Sequence, residues 1–357
     1  VHQPDHVNSY ALATEILTVD PADPQPEIIR RAAAVIASGG LVAFPTETVY
    51  GLGADATRGE AVAAIYAAKG RPPTNPLIVH VASAEDAQRV AADWPAVAQQ
   101  LCERFWPGPL TLVLQRSEAI PAIVAGGGLT VAVRAPAHPV AQALIRACGV
   151  PIAAPSANRS NRVSPTRAEH VLKHLSGRIH LVLDGGPTPG GIESTVLDVT
   201  CIPPRLLRPG PIAPKDLEPI VGKVDTRPSR ILGLPSSATQ ADVALPSPGM
   251  LPRHYAPRMP LRIAPGTGRR QVVRLVGQGM KVGWLPFHPY ASVPGVITLP
   301  MPKDPAAYAS LLYAALHTME DAEVDAIVVA APPETEEWLG VRDRLLRAAS
   351  PPGDDGA

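Results

Sequence analysis

Apolar residues first recur at helical spacing between Glu27 and Ser38. Ile28, Ile29, Ala32, Val35 and Ile36 share a face there, and Gly39-Gly40 closes the helix. Leu41 to Phe44 then reads as a short buried strand. A second helix is predicted from Gly59 to Lys69, with Val62, Ile65 and Tyr66 inward and Gly70 as its stop. Pro76 to Ala82 reads as a strand, with helices to follow over 84–92 and 95–105. Further strands are predicted over 110–115, 130–135, 150–154, 179–183, 195–199 and 205–208, and a helix between Pro139 and Ala147. Residues 1–24 carry little periodicity and read as an N-terminal extension. The alternation of short strands and helices implies one α/β domain over 25–212.

From Pro209 to Pro260 the pattern breaks, and no periodicity is legible between closely spaced prolines, serines and glycines. Residues 213–258 read as a proline-rich linker, since so long a loop is either functional or a connector. Beyond it, strands are predicted over Lys281–Phe287, Val296–Leu299 and Ala326–Ala331. Helices are predicted from Asp304-Pro305 to Glu320 and over Glu334–Ala349. This second alternation implies a small three-layer α/β domain over 259–349 with a largely parallel sheet, followed by a flexible tail at 350–357.

Composition narrows the reading. The chain has 357 residues, 46% apolar and 18% charged, enough for two packed cores and inconsistent with general disorder. Lys plus Arg equals 32 and Asp plus Glu equals 32, which argues against a broad basic face for long nucleic acid but leaves room for a local cationic pocket. Prolines number 43, well above an average usage of about 5%, and most stand singly in loops that they stiffen. Cys102, Cys148 and Cys201 form neither a disulfide framework nor a zinc pattern. The N-terminal residues lack signal-peptide character and no segment approaches the ~20 apolar residues of a membrane span. A soluble protein of the reducing cytoplasm is expected.

Five polar runs carry candidate chemistry. Phe44-Pro-Thr-Glu-Thr-Val-Tyr-Gly-Leu-Gly53 reads as a loop between a strand and a helix, ending in glycines that permit close backbone approach. In Lys69-Gly-Arg-Pro-Pro-Thr-Asn-Pro-Leu77 the prolines stiffen the loop presenting Arg71, whose planar fork suits phosphate or carboxylate. His80 falls opposite Leu77, Val79 and Val81 on its strand. Thr130-Val-Ala-Val-Arg134 alternates, so Thr130 and Arg134 share a face, and a covered Arg134 needs an anion. Ala154-Pro-Ser-Ala-Asn158 with Arg159 to Ser164, and Gly190 to Thr195 with Arg208-Pro-Gly, add hydroxyls, amides and cations beside strand ends. Together the runs imply a basic, hydroxyl-lined concavity for a polyanion.

FPTETVYGLG, the Lys69-x-Arg71 pair, the Ser156-x-Asn158 pair and Ser194-Thr195 before LLRPG resemble the YrdC-like domain, the catalytic domain of threonylcarbamoyl-AMP synthases. The run Ser247 to Pro257 (SPGMLPRHYAP) resembles the signature of that family's long form, which adds a small Rossmann-like domain; the resemblance covers about 25 to 349. It implies a twisted mixed sheet with a concave basic face. It also implies a reaction: L-threonine, bicarbonate (or CO2) and ATP, accompanied by Mg2+, give threonylcarbamoyl-adenylate and pyrophosphate. That product feeds the tRNA threonylcarbamoyl-transfer machinery, without a need for stable tRNA binding.

By this resemblance Lys69 and Arg71 are the catalytic cations. Arg71, Asn75, Thr130, Ser156, Asn158, Ser164, Arg208 and Tyr255 line up with ATP contacts. Thr48, His80, Arg134, Ala154 and Ser194 line up with the threonine pocket, Arg134 as partner of the carboxylate. Ala154 stands where a hydroxyl is common, so contact there runs through the backbone. No protein ligand for the metal is indicated. The linker is expected to fold over the catalytic face with Tyr255 reaching the nucleotide, shielding a labile anhydride from water. A stiff spacer is the competing reading of that segment. Two rivals for the whole chain are a non-catalytic double-stranded-RNA-binding protein on the same fold and a hydrogenase-maturation carbamoyl-transfer enzyme. Neutral charge and the polar motifs weigh against the first, and the missing zinc-finger-like and acylphosphatase-like regions against the second.

Overall fold

The computed structural model describes residues 12–227, 245, 247–250 and 253–350. The chain order begins β1 (Glu15–Thr18), α1 (Pro26–Ala37), β2 (Val42–Pro45), β3 (Tyr50–Asp55), α2 (Gly59–Lys69), β4 (Ile78–His80), α3 (Ala84–Val90) and α4 (Ala96–Phe105). It continues with β5 (Leu110–Gln115), β6 (Thr130–Arg134), α5 (Pro139–Cys148), β7 (Ile152–Ala153), α6 (Ala168–Leu175), β8 (Leu181–Asp184), β9 (Thr195–Asp198), β10 (Arg205–Arg208) and α7 (Pro214–Val221). These ten strands form one mixed sheet in the order β1-β8-β2-β3-β7-β4-β6-β5-β9-β10. Local chemistry sets the helix ends: α1 and α5 start on a proline at the first turn, and α2 and α5 stop at Gly70 and Gly149 in left-handed conformation.

One sheet face packs against α2, α4, α6 and α7, burying Leu52, Val79, Leu112, Val133 and Leu197 with Ile65, Leu101, Val171 and Leu217. The other face is covered by α1 and α5 around β8 and β2, where Phe44 and Leu183 meet Ile36 and Leu144. Further along that face the apolar side chains dwindle to a patch of Ile78, Val113, Ala132, Val196 and Leu207. Strand alternation puts His80, Thr111 and Arg134 on the same side as that patch. A concave polar floor results.

The second sheet is parallel, with order β11 (Leu261–Ala264), β14 (Ala326–Ala330), β12 (Val282–Leu285) and β13 (Ile297–Thr298). Helix α8 (Arg269–Gly277) covers one face through Val272 and Leu275. Helices α9 (Pro305–Asp321) and α10 (Leu339–Ala349) cover the other. Their core also takes in Val49, Val163 and Ile192 from the first body and Tyr255 from the linker, so the α9/α10 layer joins the two bodies.

Several elements differ from the sequence reading. Residues 15–18, within the expected extension, pair with β8 as an edge strand whose exposure alternates over four residues, too few to register as a period. FPTETVYGLG is not a loop but the β2–β3 hairpin, Pro45 opposite Tyr50. Its second strand is buried on both faces and so lacks alternation. The glycines are required by packing: a Cβ on Gly53 would stand 2.7 Å from the Phe44 ring. Helix α7, in the span read as linker, carries two prolines, Pro214 at its start and Pro219 inside it, and was masked by them. Helices α6 and α8 are short and rich in charge, and β11 precedes α8 with only two fully buried side chains. Both outer strands of the large sheet are shielded. Glu15 on β1 pairs with Arg31, and Asp225 bridges to Arg205 and receives the Leu206 amide beside β10.

Gly191 (φ 73°) lies where the bodies touch; a Cβ there would come within 2.2 Å of the Ala309 carbonyl oxygen. Gly191→Ala is therefore expected to lower stability by about 1–3 kcal/mol in urea unfolding. Gly149→Ala shares the positive φ (66°) but faces open space, and should cost less.

Candidate active site

The β2–β3 turn is organised by Thr46. Its Oγ1 accepts the amides of Thr48 (3.1 Å) and Val49 (3.2 Å) and donates to the Val49 carbonyl (2.7 Å). This presents Thr48, whose hydroxyl accepts from Arg134 Nη1 at 3.0 Å. Arg134, at the end of β6, is fixed on two further sides. Its Nε donates to the Gly108 carbonyl (3.1 Å), and Nη2 lies 2.5 Å from Glu47 Oε1. His80 stands opposite Arg134 in the β4–β6 register and meets Phe44 edge-on. Burial, and secondarily the Arg134 charge, push its pKa down to about 3. It is a neutral imidazole at physiological pH.

The cations at the other end are buried and face carbonyls. Lys69, the last residue of α2, donates to the backbone carbonyls of Ser156 (2.6 Å) and Asn158. Arg71 grips its own loop: Nε to the Asn75 carbonyl (3.0 Å), Nη2 to Asn75 Oδ1 (2.5 Å) and to the Pro76 carbonyl (2.8 Å). Burial and the Arg71 charge hold the Lys69 pKa well below the lysine range. Burial lowers that of Arg71 to about 10. Arg208 donates through Nε to the Ser194 carbonyl and through Nη2 to Ser194 Oγ, both at 3.0 Å. The β9–β10 register shifts between Leu206 and Arg208, a bulge that brings Arg208 to the side of Leu207 and the polar floor. Among the described residues, Lys69, Arg71 and Arg208 form no ion pair with a carboxylate.

Thr48, Arg71, His80, Arg134, Ala154, Ser156, Arg208 and Tyr255 line one cavity of about 40 Å³, together with Glu193, Pro248, Gly249 and His254. Lys69, Asn75, Ser164 and Ser194 each bond to a lining residue from behind, and Asn158 is held in turn by Lys69. Asn158 Nδ2 binds the carbonyls of Arg159 (3.0 Å) and Arg162 (2.7 Å), shaping the loop after β7. The Ala154 amide is committed to the Ile78 carbonyl at 2.9 Å. Thr130, at the far end of β6, is about 13 Å along the strand from Arg134 and does not line the cavity. From the linker, Tyr255 is 1% exposed, with His254 edge-on at 3.9 Å. Residues 228–244, 246, 251 and 252 of the predicted linker lie outside the described residues.

Sequence reasoning missed both carboxylates. Glu47 stood inside the first motif and was not assigned. Glu193 accepts from Ser164 Oγ (2.5 Å), Tyr313 Oη (3.0 Å) and Arg344 Nε (2.7 Å). Burial opposes its ionisation, but Arg344, Arg208 and Ser164 outweigh that and hold its pKa below the usual range. An acid in the Gly-Gly-Ile-Glu-Ser-Thr run was the available signal. Tyr313 and Arg344, more than a hundred residues away, gave none.

Fold and cavity define a class: an α/β protein whose small enclosed site sets buried cations beside hydroxyls, a chemistry for a phosphorylated ligand. Residues 34–210 match a family model described as Telomere recombination, and residues 212–350 match the threonylcarbamoyl-AMP synthase C-terminal domain. A threonylcarbamoyl-AMP synthase of Pyrococcus abyssi is 43% identical over 328 residues, covering 90% of this chain and 94% of the relative. One of Bacillus subtilis is 43% identical over 338 residues, covering 92% and 93%. The crystal structure of Pyrococcus abyssi Sua5 complexed with L-threonine aligns with a TM-score of 0.85 at 40% identity, covering 94% of this chain and 98% of that one. The chain belongs to the threonylcarbamoyl-AMP synthase family, in its long form with the additional C-terminal domain.

A buried neutral His80 makes stability depend on pH. Its folded pKa, about 3 against an ordinary 6.5, means that the unfolded chain binds the proton first. The contribution is complete above pH 6.5 and is lost as pH falls from there toward 3. His80→Asn should flatten the acid limb of stability against pH by up to about 1.4 kcal/mol per pH unit, read from urea midpoints between pH 7 and about 4.

Proposed function

We propose that this chain condenses L-threonine, bicarbonate (or CO2) and ATP into L-threonylcarbamoyladenylate and pyrophosphate, the first step of tRNA N6-threonylcarbamoyladenosine formation. One observation carries the reading. Among the described residues, Lys69, Arg71 and Arg208 are buried with no carboxylate in an ion pair, Arg71 and Arg208 lining and Lys69 standing behind a cavity that also holds Arg134, Thr48 and His80. A triphosphate supplies the missing charge for the first set, and an amino acid suits the second.

In this reading the threonine carboxylate meets Arg134. Two of that guanidinium's five donors are committed to Gly108 and Thr48, which fixes its plane, and Nη2, close to Glu47 but without a hydrogen bond, stays open to substrate. His80 as a neutral imidazole, Thr48, Ser194 and the Ala154 carbonyl complete the pocket. The threonine amine combines with bicarbonate to give the carbamate and water. A carbamate oxygen then attacks the α-phosphorus, the bond to the β-phosphate oxygen breaks, and pyrophosphate leaves. No side chain forms a covalent intermediate. Arg71 and Arg208 balance charge as it moves onto the leaving group. Lys69 acts from behind, holding the Ser156–Asn158 backbone and adding its field. Asn75, Ser156, Asn158 and Ser164 build the nucleotide walls, and Thr130 remains an ATP contact only if a loop of this face moves toward it.

Among the described residues no group of three or more histidine, cysteine, aspartate or glutamate side chains could hold a metal ion. Mg2+ therefore belongs to this proposal as part of the MgATP substrate. A cavity of about 40 Å³ is far below the ~300–1,000 Å³ of small-molecule sites, so the Pro248–Gly249 and His254–Tyr255 segments must withdraw to admit ATP and return to exclude water. The same covering disfavours the double-stranded-RNA reading, because the concave face is occupied by the chain itself. The product is a mixed anhydride, consumed by tRNA threonylcarbamoyl-transfer machinery without stable tRNA binding here. No helix among the described residues is long and apolar enough to cross a membrane, and we place the reaction in the cytoplasm with its tRNA acceptor.

Pyrophosphate release from ATP that requires both threonine and bicarbonate tests the proposal; release independent of threonine overturns it. Arg71→Ala should reduce adenylate formation about tenfold or more with folding retained, as one charged hydrogen bond contributes ~1.5–3 kcal/mol. Arg134→Ala should raise the threonine requirement far more than the ATP requirement, and equal weakening of both would remove its assignment to the carboxylate.

A further inference from the structure

Arg344, on α10 of the C-terminal domain, is 1% exposed and reaches the rear wall of the cavity. Its Nε donates to Glu193 Oε2 at 2.7 Å and its Nη2 to the Glu193 carbonyl at 3.2 Å. Nη1 donates to the Pro209 carbonyl (2.9 Å) and to Asp343 Oδ2 (2.8 Å). These four bonds fix the guanidinium plane, and its central carbon stands 5.1 Å from the centroid of the Tyr255 ring. Tyr313, on α9 of the same domain, stacks on Tyr255 with centroids 5.9 Å apart while its hydroxyl also binds Glu193. Tyr255 itself has φ 58°, a left-handed conformation that a bulky residue keeps only where its surroundings hold it.

The catalytic domain holds the backbone beside Tyr255, where the Ala256 amide donates to the Asn161 carbonyl at 3.0 Å, and the C-terminal domain supplies Arg344 and Tyr313 against its ring. On the reading of the cavity as a nucleotide site, we propose that Arg344 is a positioning residue for the reaction: clamped by Glu193, its guanidinium is the seat on which the Tyr255 ring closes over ATP. Arg344 touches no substrate. It acts through Tyr255, and through Glu193 on Ser164, whose carbonyl is also met by His317 of α9 at 3.1 Å. The C-terminal domain is by this account part of the closing device, and the linker shuts only onto a docked domain.

The test separates seating from plain structural support. Arg344→Lys keeps a positive charge against Glu193 but loses the flat face under the ring. It should fold with a lowered urea midpoint, since buried acceptors lose donors, while amides 253–260 exchange hydrogen about tenfold faster relative to the rest of the folded chain, and ATP binding by calorimetry should weaken about fivefold with threonine binding unchanged. In the background with Arg344 intact, Tyr255→Phe should preserve protection of 253–260 and Tyr255→Leu should lose it. This arm stands whether or not Arg344→Lys folds. Unchanged exchange in a folded Arg344→Lys, equal losses of ATP and threonine binding, or equal protection in the Phe and Leu variants would overturn the proposal. None of these readouts uses turnover. A protein that binds ATP but releases no pyrophosphate would overturn the proposed reaction and leave the seating result intact.

Discussion

Three buried cations that form no ion pair among the described residues set the terms for the whole catalytic face. Removing a charge from water costs several kcal/mol per ion even after relaxation, so Lys69, Arg71 and Arg208 must be offset locally. The fold does this with backbone carbonyls: Ser156 and Asn158 around Lys69, Asn75 and Pro76 around Arg71, Ser194 around Arg208. Carbonyl dipoles compensate partly, and burial still holds the pKa values of Lys69 and Arg71 below their usual ranges. The unusual proline content finds its physical use here. Pro72, Pro73, Pro76 and Pro155 stiffen the loops whose carbonyls must stay aimed at the cations.

Two carboxylates divide the site. Glu47 takes Arg134 and Glu193 takes Arg344, and neither forms an ion pair with Lys69, Arg71 or Arg208. Had either acid been directed at Arg71, one of the three cations would be neutralised before substrate arrived. Glu193 also lies where the bodies meet, since Ser164 approaches it from one side and Tyr313 and Arg344 from the other. Substrate chemistry and domain docking consequently share one buried charge.

Much of the fold was legible because its helices are amphipathic and end on glycine or start on proline. The helix expected from about Gly59 to Lys69, with Gly70 as its stop, is α2. Elements lacking those signals were lost for identifiable reasons. In β3 burial on both faces removed the period, in α7 prolines hid the helix, and in α8 arginines outnumbered the buried stripe. The site was legible as a set of polar runs, and eight of its candidate residues do line one cavity. What the runs could not give was direction. Lys69 reads as a free cation beside Arg71, yet its ammonium faces two carbonyls behind the wall, and Thr130 shares a face with Arg134 but sits a full strand length away. Contacts such as Arg344 to Glu193 span 151 residues and leave no mark on local pattern.

A ten-stranded open sheet has two flanks, and each is a template on which another molecule's strand could register. At β10 the amide of Leu206 is already taken by Asp225, whose own amide returns to the Pro204 carbonyl at 2.8 Å. At β1 the exposed flank is only four residues long and carries Glu15 in an ion pair with Arg31. Short, charged or pre-occupied flanks are how sheets resist edge-to-edge association. Loss of the Arg205–Asp225 bridge would therefore be felt less in the cavity than in solubility, as chains found one another through the newly bare side of β10.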